Sequence, residues 1–102
     1  TFETDTPKSC GIVEIDSQQV VQGFHEKVVE PPGNRANGAL YAFEQEFLDD
    51  LSLMKPTPSD FSTQVIPKFL GKIQSWHTDQ EYLDIGTPES LSLAQQLLRD
   101  KQ

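Results

Sequence analysis

Cysteine, basic residues and long apolar runs are scarce in this chain, and each scarcity removes a class of function. One cysteine, Cys10, stands in 102 residues, so no internal disulfide framework exists and a reducing, cytoplasmic setting is the expectation. No apolar run approaches the ~20 residues needed to span a bilayer, so no membrane partner is expected. Eight Lys and Arg stand against sixteen Asp and Glu, giving a formal net charge of -8. A nucleic-acid surface needs a basic stripe to displace counterions from phosphates, and none is present. One small phosphorylated ligand is still compatible, because a single lysine or a bound divalent cation reverses the field locally.

Motifs for several chemistries are also lacking. The six glycines are scattered, and none forms a phosphate-cradling run at a strand-helix junction. His25 and His77 have neither ligand spacing to Cys10 nor a partner placed to activate a nucleophile. At 35% hydrophobic and 24% charged residues, the composition is that of one globular domain or part of one. The chain opens on Thr1 without a basic, apolar leader, which raises the expectation of a fragment.

The pattern along the chain predicts an α/β arrangement. Residues 1–9 are polar and read as a loop. Gly11-Ile12-Val13-Glu14-Ile15-Asp16 and Val20 through Val29 flank the turn Ser17-Gln18-Gln19 and predict a β-hairpin. Pro31-Pro32-Gly33-Asn34 marks a loop, and Ala36 to Phe43 reads as a buried strand. Glu44 to Leu51 predicts a short helix. A second helix starts at Ser59 or Asp60 and stops at Gly71, kinked or ended by Pro67. Lys72 to Thr78 alternates at strand period, and Glu81-Tyr82-Leu83 reads as a further strand. Thr87 is a natural N-cap with Pro88 at the first helical position. The helix that follows places Leu91, Leu93, Ala94, Leu97 and Leu98 on one side.

Polar residues at element ends are what remain for chemistry: Gly11, Glu26, Lys27, Asn37 and Asp84. They suit a polyhydroxylated, phosphorylated ligand. Glu26 and Asn37 can bond hydroxyls, Lys27 can pair with a phosphate, and Asp84 can hold a hard cation through oxygen. Structural roles compete with these: Glu26 and Lys27 as a solvated strand end, Asn37-Gly38 as a turn, Asp84 as a cap or turn closure.

Five motifs in order carry a family resemblance: Cys10-Gly11-Ile12-Val13-Glu14-Ile15-Asp16, Phe24-His25-Glu26-Lys27, Asn37-Gly38-Ala39-Leu40-Tyr41-Ala42-Phe43, Asp60-Phe61-Ser62-Thr63-Gln64-Val65-Ile66-Pro67, and Tyr82-Leu83-Asp84-Ile85-Gly86-Thr87-Pro88-Glu89. Over nearly its whole length the chain resembles the C-terminal half of the sugar-phosphate nucleotidyltransferases, the NDP-sugar pyrophosphorylases. Within them it is most similar to guanylyltransferases acting on mannose 1-phosphate or a manno-heptose 1-phosphate.

The resemblance implies the C-terminal part of a Rossmann-like nucleotide-diphospho-sugar transferase fold, a mixed sheet with flanking helices. Residues 1–102 would be its sugar-phosphate-binding half, without the nucleotide-binding half. It implies the joining of a sugar 1-phosphate to a nucleoside triphosphate with Mg2+ assistance, and a fragment inactive alone. Gly11 would lie against the sugar, Glu26 and Asn37 would contact it, and Lys27 would hold the phosphate. Asp84 would be one of two carboxylates on the metal, so Asp84 and Lys27 are the expected catalytic residues. Three features depart from the family pattern: Val28 where proline is common, Tyr82 where tryptophan is common, and the order Asn37-Gly38-Ala39. The rival expectation is a non-catalytic module that binds a sugar phosphate or self-associates as a homo-oligomer through an exposed sheet edge.

Overall fold

The computed structural model describes all 102 residues and places a four-stranded sheet at the centre of the chain. Its strands are β1 (Phe2–Glu3), β2 (Gly11–Ile15), β3 (Val21–Glu26) and β4 (Arg35–Ala36), in the order β1-β4-β2-β3. The β2/β3 hairpin forms as its alternation predicts, with Gly11 opposite Glu26, Ile12 opposite His25 and Val13 opposite Phe24. β4 lies along the other side of β2, pairing Ala36 with Ile12.

Every pairing is antiparallel, which corrects the expected mixed sheet. Parallel neighbours need a long crossover connection, and the links between β2, β3 and β4 are too short to supply one. The class is α/β with an antiparallel sheet. The opening residues, expected as loop, supply an edge strand.

The hairpin turn is fixed by Asp16. Its Oδ1 accepts from the Val20 and Gln18 amides at 3.0 and 2.8 Å, and its Oδ2 accepts from Gln22 Nε2 at 2.9 Å. Gln19 takes the left-handed conformation at φ 67°. The hydrogen bond from Val20, joined by those from Gln18 and Gln22, lowers the Asp16 pKa below its ordinary value, against an opposing effect of desolvation. A depressed folded-state pKa gives stability that is present above the unfolded value and lost as pH falls through the folded one. Acid titration should therefore lower the melting temperature of the native chain more steeply than that of Asp16→Asn, and parallel curves would contradict this account of the turn.

The buried apolar residues are Ile12, Val13, Val21, Ala36, Val65 and Ile66. Ile12 and Val13 are neighbours on β2 and point to opposite faces, so the sheet is covered on both sides at its centre. Val65 and Ile66 come from the Asp60 segment. It begins as predicted, with Asp60 Oδ1 accepting from Ser62 N at 3.0 Å and Thr63 N at 3.5 Å. It then runs as a π turn over Phe61–Val65 and a 3-10 turn over Ile66–Phe69. Pro67 has no amide to continue an α-helical ladder, which is why one straight helix does not form.

Three expected strands, Ala36 to Phe43, Lys72 to Thr78 and Glu81 to Leu83, do not form. Beyond Ala36 the chain leaves the sheet, and Leu40 is 90% exposed. The cause is local: Asn37 Oδ1 accepts from Ala39 N at 3.0 Å and Ala39 adopts φ 58°, a turn that cannot continue a ladder. Residues 72–83 form no strand either. The single bridge Val20 to Gln74, with Val21 N bonded to Ile73 O at 2.8 Å, covers part of the outer edge of β3.

Helix α1 (Gln45–Ser52) is held through ring contacts of Phe47 with Phe43 and Phe69 at centroid distances of 5.0 and 4.8 Å. Helix α2 (Pro88–Asp100) starts on a reciprocal cap: Thr87 Oγ1 accepts from Ser90 N, and Ser90 Oγ accepts from Thr87 N, both at 3.1 Å. Neither helix contains a buried residue. The radius of gyration, 15.4 Å, accordingly exceeds the ~13 Å of a compact 100-residue domain. No helix is long and apolar enough to cross a membrane.

Candidate functional site

Four of the five residues singled out above meet at one end of the sheet. Gly11 opens β2 and Glu26 closes β3 directly opposite it. Lys27 follows, its amide bonded to Cys10 O at 3.0 Å, and Asn37 follows β4, its amide bonded to Gly11 O at 2.8 Å. Backbone pairing therefore fixes all four relative to one another before any side chain is considered.

Gly11 is buried, and the space above it is filled. A methyl group built there would lie 2.6 Å from Phe24 Cζ and 2.7 Å from Glu26 Oε2. Only hydrogen allows the Phe24 ring and the Glu26 carboxylate to close over the strand. Lys27 sits in the left-handed region at φ 51°, so the chain turns sharply as soon as β3 ends. Its side chain is exposed and forms no ion pair; the salt bridges of the chain are His25–Glu14, His77–Asp79 and Lys101–Glu81. In a chain of net charge -8, an unpaired ammonium beside a sheet end is a cation available to an external anion.

Asn37 is more committed than the sequence suggests. Its Oδ1 closes the turn to Ala39, and its Nδ2 donates to Tyr41 Oη at 2.6 Å. The turn reading of Asn37-Gly38 is therefore realised. The residue shapes the loop beside Gly11, with one amide hydrogen and remaining lone pairs left for a ligand.

Asp84 is exposed and follows an irregular segment rather than the expected strand. Its Oδ1 accepts from Gly86 N at 2.9 Å, which is the turn closure weighed against a metal role. Oδ2 has no hydrogen-bond partner in the chain. No three His, Cys, Asp or Glu side chains converge as a ready cation cage.

The Asp84 segment is brought to the sheet by its neighbour. Tyr82 Oη donates to Gly38 O at 2.5 Å, and the Tyr82 ring stacks on Phe2 of β1 at 4.2 Å. Leu83 and Ile85 instead line a groove of about 600 Å³ with Ala94, Leu97 and Leu98 of α2. That groove includes none of Gly11, Glu26, Lys27 or Asn37, so the shelf that these four residues form at the sheet end is separate from it.

Three aromatic residues matter here that composition alone did not single out: Phe24 over Gly11, Tyr41 on Asn37, and Tyr82 on Gly38. Their signal in the sequence was only that each sits within or beside a motif carrying a polar candidate.

The profile of a family described as nucleotidyl transferase matches residues 1–101. Among curated proteins, the chain is 28% identical over 91 residues to mannose-1-phosphate guanyltransferase 2 of Candida glabrata, covering 85% of this chain and 24% of that protein. It is 30% identical over 89 residues to the mannose-1-phosphate guanyltransferase of Kluyveromyces lactis, covering 85% and 24%. It is 29% identical over 97 residues to the glucose-1-phosphate adenylyltransferase of Clostridium novyi, covering 88% and 25%. The chain thus spans about a quarter of the length of the curated relatives it matches.

Proposed function

We propose, from the premise that this chain belongs to the nucleotidyl transferase family, that it is the sugar-phosphate-binding part of an enzyme joining a sugar 1-phosphate to a nucleoside triphosphate. The sugar is of the mannose or manno-heptose type and the nucleotide is GTP. In this reaction a phosphate oxygen of the sugar 1-phosphate attacks the α-phosphorus of the triphosphate, and the bond to the β-phosphate breaks to release pyrophosphate. The names of the Candida and Kluyveromyces relatives favour mannose and guanine over the pairing named for the Clostridium relative.

The observation that carries the reading is the convergence of Gly11, Glu26, Lys27 and Asn37 at one sheet end with the Lys27 ammonium unpaired. Gly11 lets the Phe24 ring and the Glu26 carboxylate close over the strand end, so a sugar docking there would meet that ring and carboxylate. The Glu26 carboxylate accepts hydrogen bonds from hydroxyls, and Lys27 neutralises the phosphate. Asp84 fits a Mg2+ ligand in one respect: Oδ2 is exposed and unengaged while Oδ1 is fixed by Gly86 N. Mg2+ is commonly held by one or two carboxylates, substrate phosphates and water, so Asp84 would supply one oxygen of such a set. The ion, when bound, neutralises phosphate charge during transfer.

The test is binding of mannose 1-phosphate by calorimetry in the natural polypeptide that carries these residues, native against Lys27→Met. A charge-assisted hydrogen bond contributes about 1.5–3 kcal/mol, so the dissociation constant should rise roughly 10-fold or more. The exposed, unpaired Lys27 contributes little to the fold, and the melting temperature should not move. Equal affinity in the two proteins, or no binding of mannose or manno-heptose 1-phosphate to the native one, would overturn the reading.

A further inference from the structure

We propose that Tyr82 is a positioning residue: its hydroxyl carries the state of the sugar-phosphate shelf to the loop that holds Asp84. The proposal rests on the reading of the shelf given above and adds the link between its two parts.

From residue 81 to residue 86 the chain has no regular structure, and every residue is exposed. Within that stretch, the hydrogen bond from Tyr82 Oη to Gly38 O is the only one reaching the sheet side of the molecule; the bond from Gly86 N to Asp84 Oδ1 is internal. The carbonyl it grips belongs to the middle of the turn that Asn37 Oδ1 closes onto Ala39 N. That turn is in turn fixed to the shelf floor by Asn37 N on Gly11 O. A path of two hydrogen bonds joined by the Asn37-Gly38 peptide link therefore runs Gly11, Asn37, Gly38, Tyr82, and Asp84 lies two residues further on.

The ring of Tyr82 is held independently of its hydroxyl. It stacks on Phe2 with centroids 4.2 Å apart and an interplanar angle of 26°. The stack thus sets where the ring sits, and the hydroxyl sets whether the ring follows Gly38. A ligand that draws the Asn37 turn toward Gly11 shifts the Gly38 carbonyl, and Tyr82 transmits that shift along two residues to Asp84. Tyr82→Phe separates the two roles, because it keeps the stacked ring and deletes only the donor.

The experiment is a titration of the 15N-labelled natural polypeptide that carries these residues with mannose 1-phosphate in the absence of metal, following the Asn37 and Gly86 amides in the native protein and in Tyr82→Phe. Asn37 reports occupancy of the shelf, and Gly86, bonded to Asp84 Oδ1, reports the carboxylate loop. In the native chain both resonances should shift with one midpoint. In Tyr82→Phe the Asn37 shift should persist and the Gly86 shift should be lost, with the melting temperature held. A Gly86 shift of native size in Tyr82→Phe, or a native Gly86 resonance that stays still while Asn37 titrates, overturns the link and leaves the sugar-phosphate reading standing. An Asn37 resonance that does not respond in the native chain overturns that reading, and the link falls with it.

Discussion

Ile12→Ala should lower the stability of the isolated chain by about 2–5 kcal/mol and bring it close to its unfolding transition at room temperature. Ile12 is fully buried on the central strand, opposite His25 on β3 and Ala36 on β4, within a core of six buried apolar residues. Removing three of its side-chain carbons costs about 2–5 kcal/mol, from lost transfer free energy and from the cavity left behind. Domains of this kind are stable by about 5–15 kcal/mol, and so small a core places this one at the low end. The cavity cannot be filled cheaply, because Ala36 alongside is already the smallest side chain available. Urea denaturation followed by far-UV circular dichroism measures the effect. Ile12→Val calibrates it, with an expected loss of about 0.5–1.5 kcal/mol. A loss below ~1 kcal/mol for the alanine variant would mean that Ile12 does not centre the core.

Asp84→Asn should reduce turnover of the natural polypeptide by on the order of 10²–10³-fold with no loss of fold. The substitution is chosen for what it keeps: an asparagine oxygen still accepts from Gly86 N, which Asp84 Oδ1 does at 2.9 Å. The turn before α2 survives, and the charge is removed. Charge at this position is what a phosphoryl-transfer site needs, since positioning and neutralisation of phosphate provide most of the catalysis. An exposed side chain outside the core moves stability by about 0.5 kcal/mol or less when replaced. Pyrophosphate release from GTP and mannose 1-phosphate reads the first quantity, and the melting temperature reads the second. Full activity in the asparagine variant would remove Asp84 from the metal role. A large fall in melting temperature would instead mean that the charge at Asp84, and not only its hydrogen bond to Gly86 N, supports the fold.

The parts of the fold that could be read from the residues are those decided locally. Alternation specifies the β2/β3 hairpin, and Asp60 and Thr87 announce their caps, whereas the apolar face expected of α2 buries no residue. What escaped depends on partners distant in sequence. Leu40, Tyr41 and Phe43 look like a strand interior, yet the Asn37 side chain competes for the backbone and Ala39 turns it away from the sheet. Residues 72–83 have strand-like alternation, but only Gln74 forms a bridge, on the edge of β3. A period of two states that a segment can pair; it does not state that an edge is free. The site divides in the same way. Polar residues at element ends were visible as candidates, and antiparallel pairing brought Gly11, Glu26, Lys27 and Asn37 together. The aromatic residues that hold them, Phe24, Tyr41 and Tyr82, look like ordinary core residues until their ring edges and hydroxyls are placed.

In the order β1-β4-β2-β3, β2 is flanked on both sides, and Gly11 stands at its first position. A strand with two neighbours opens only when the whole sheet opens, whereas an uncovered loop can open by itself. The sheet end proposed to receive the sugar phosphate therefore belongs to the slowest-opening part of the molecule, and the acidic arm to the quickest. Such a pairing suits an order of events in which the sugar phosphate docks first on a surface already formed, and the carboxylate settles afterwards.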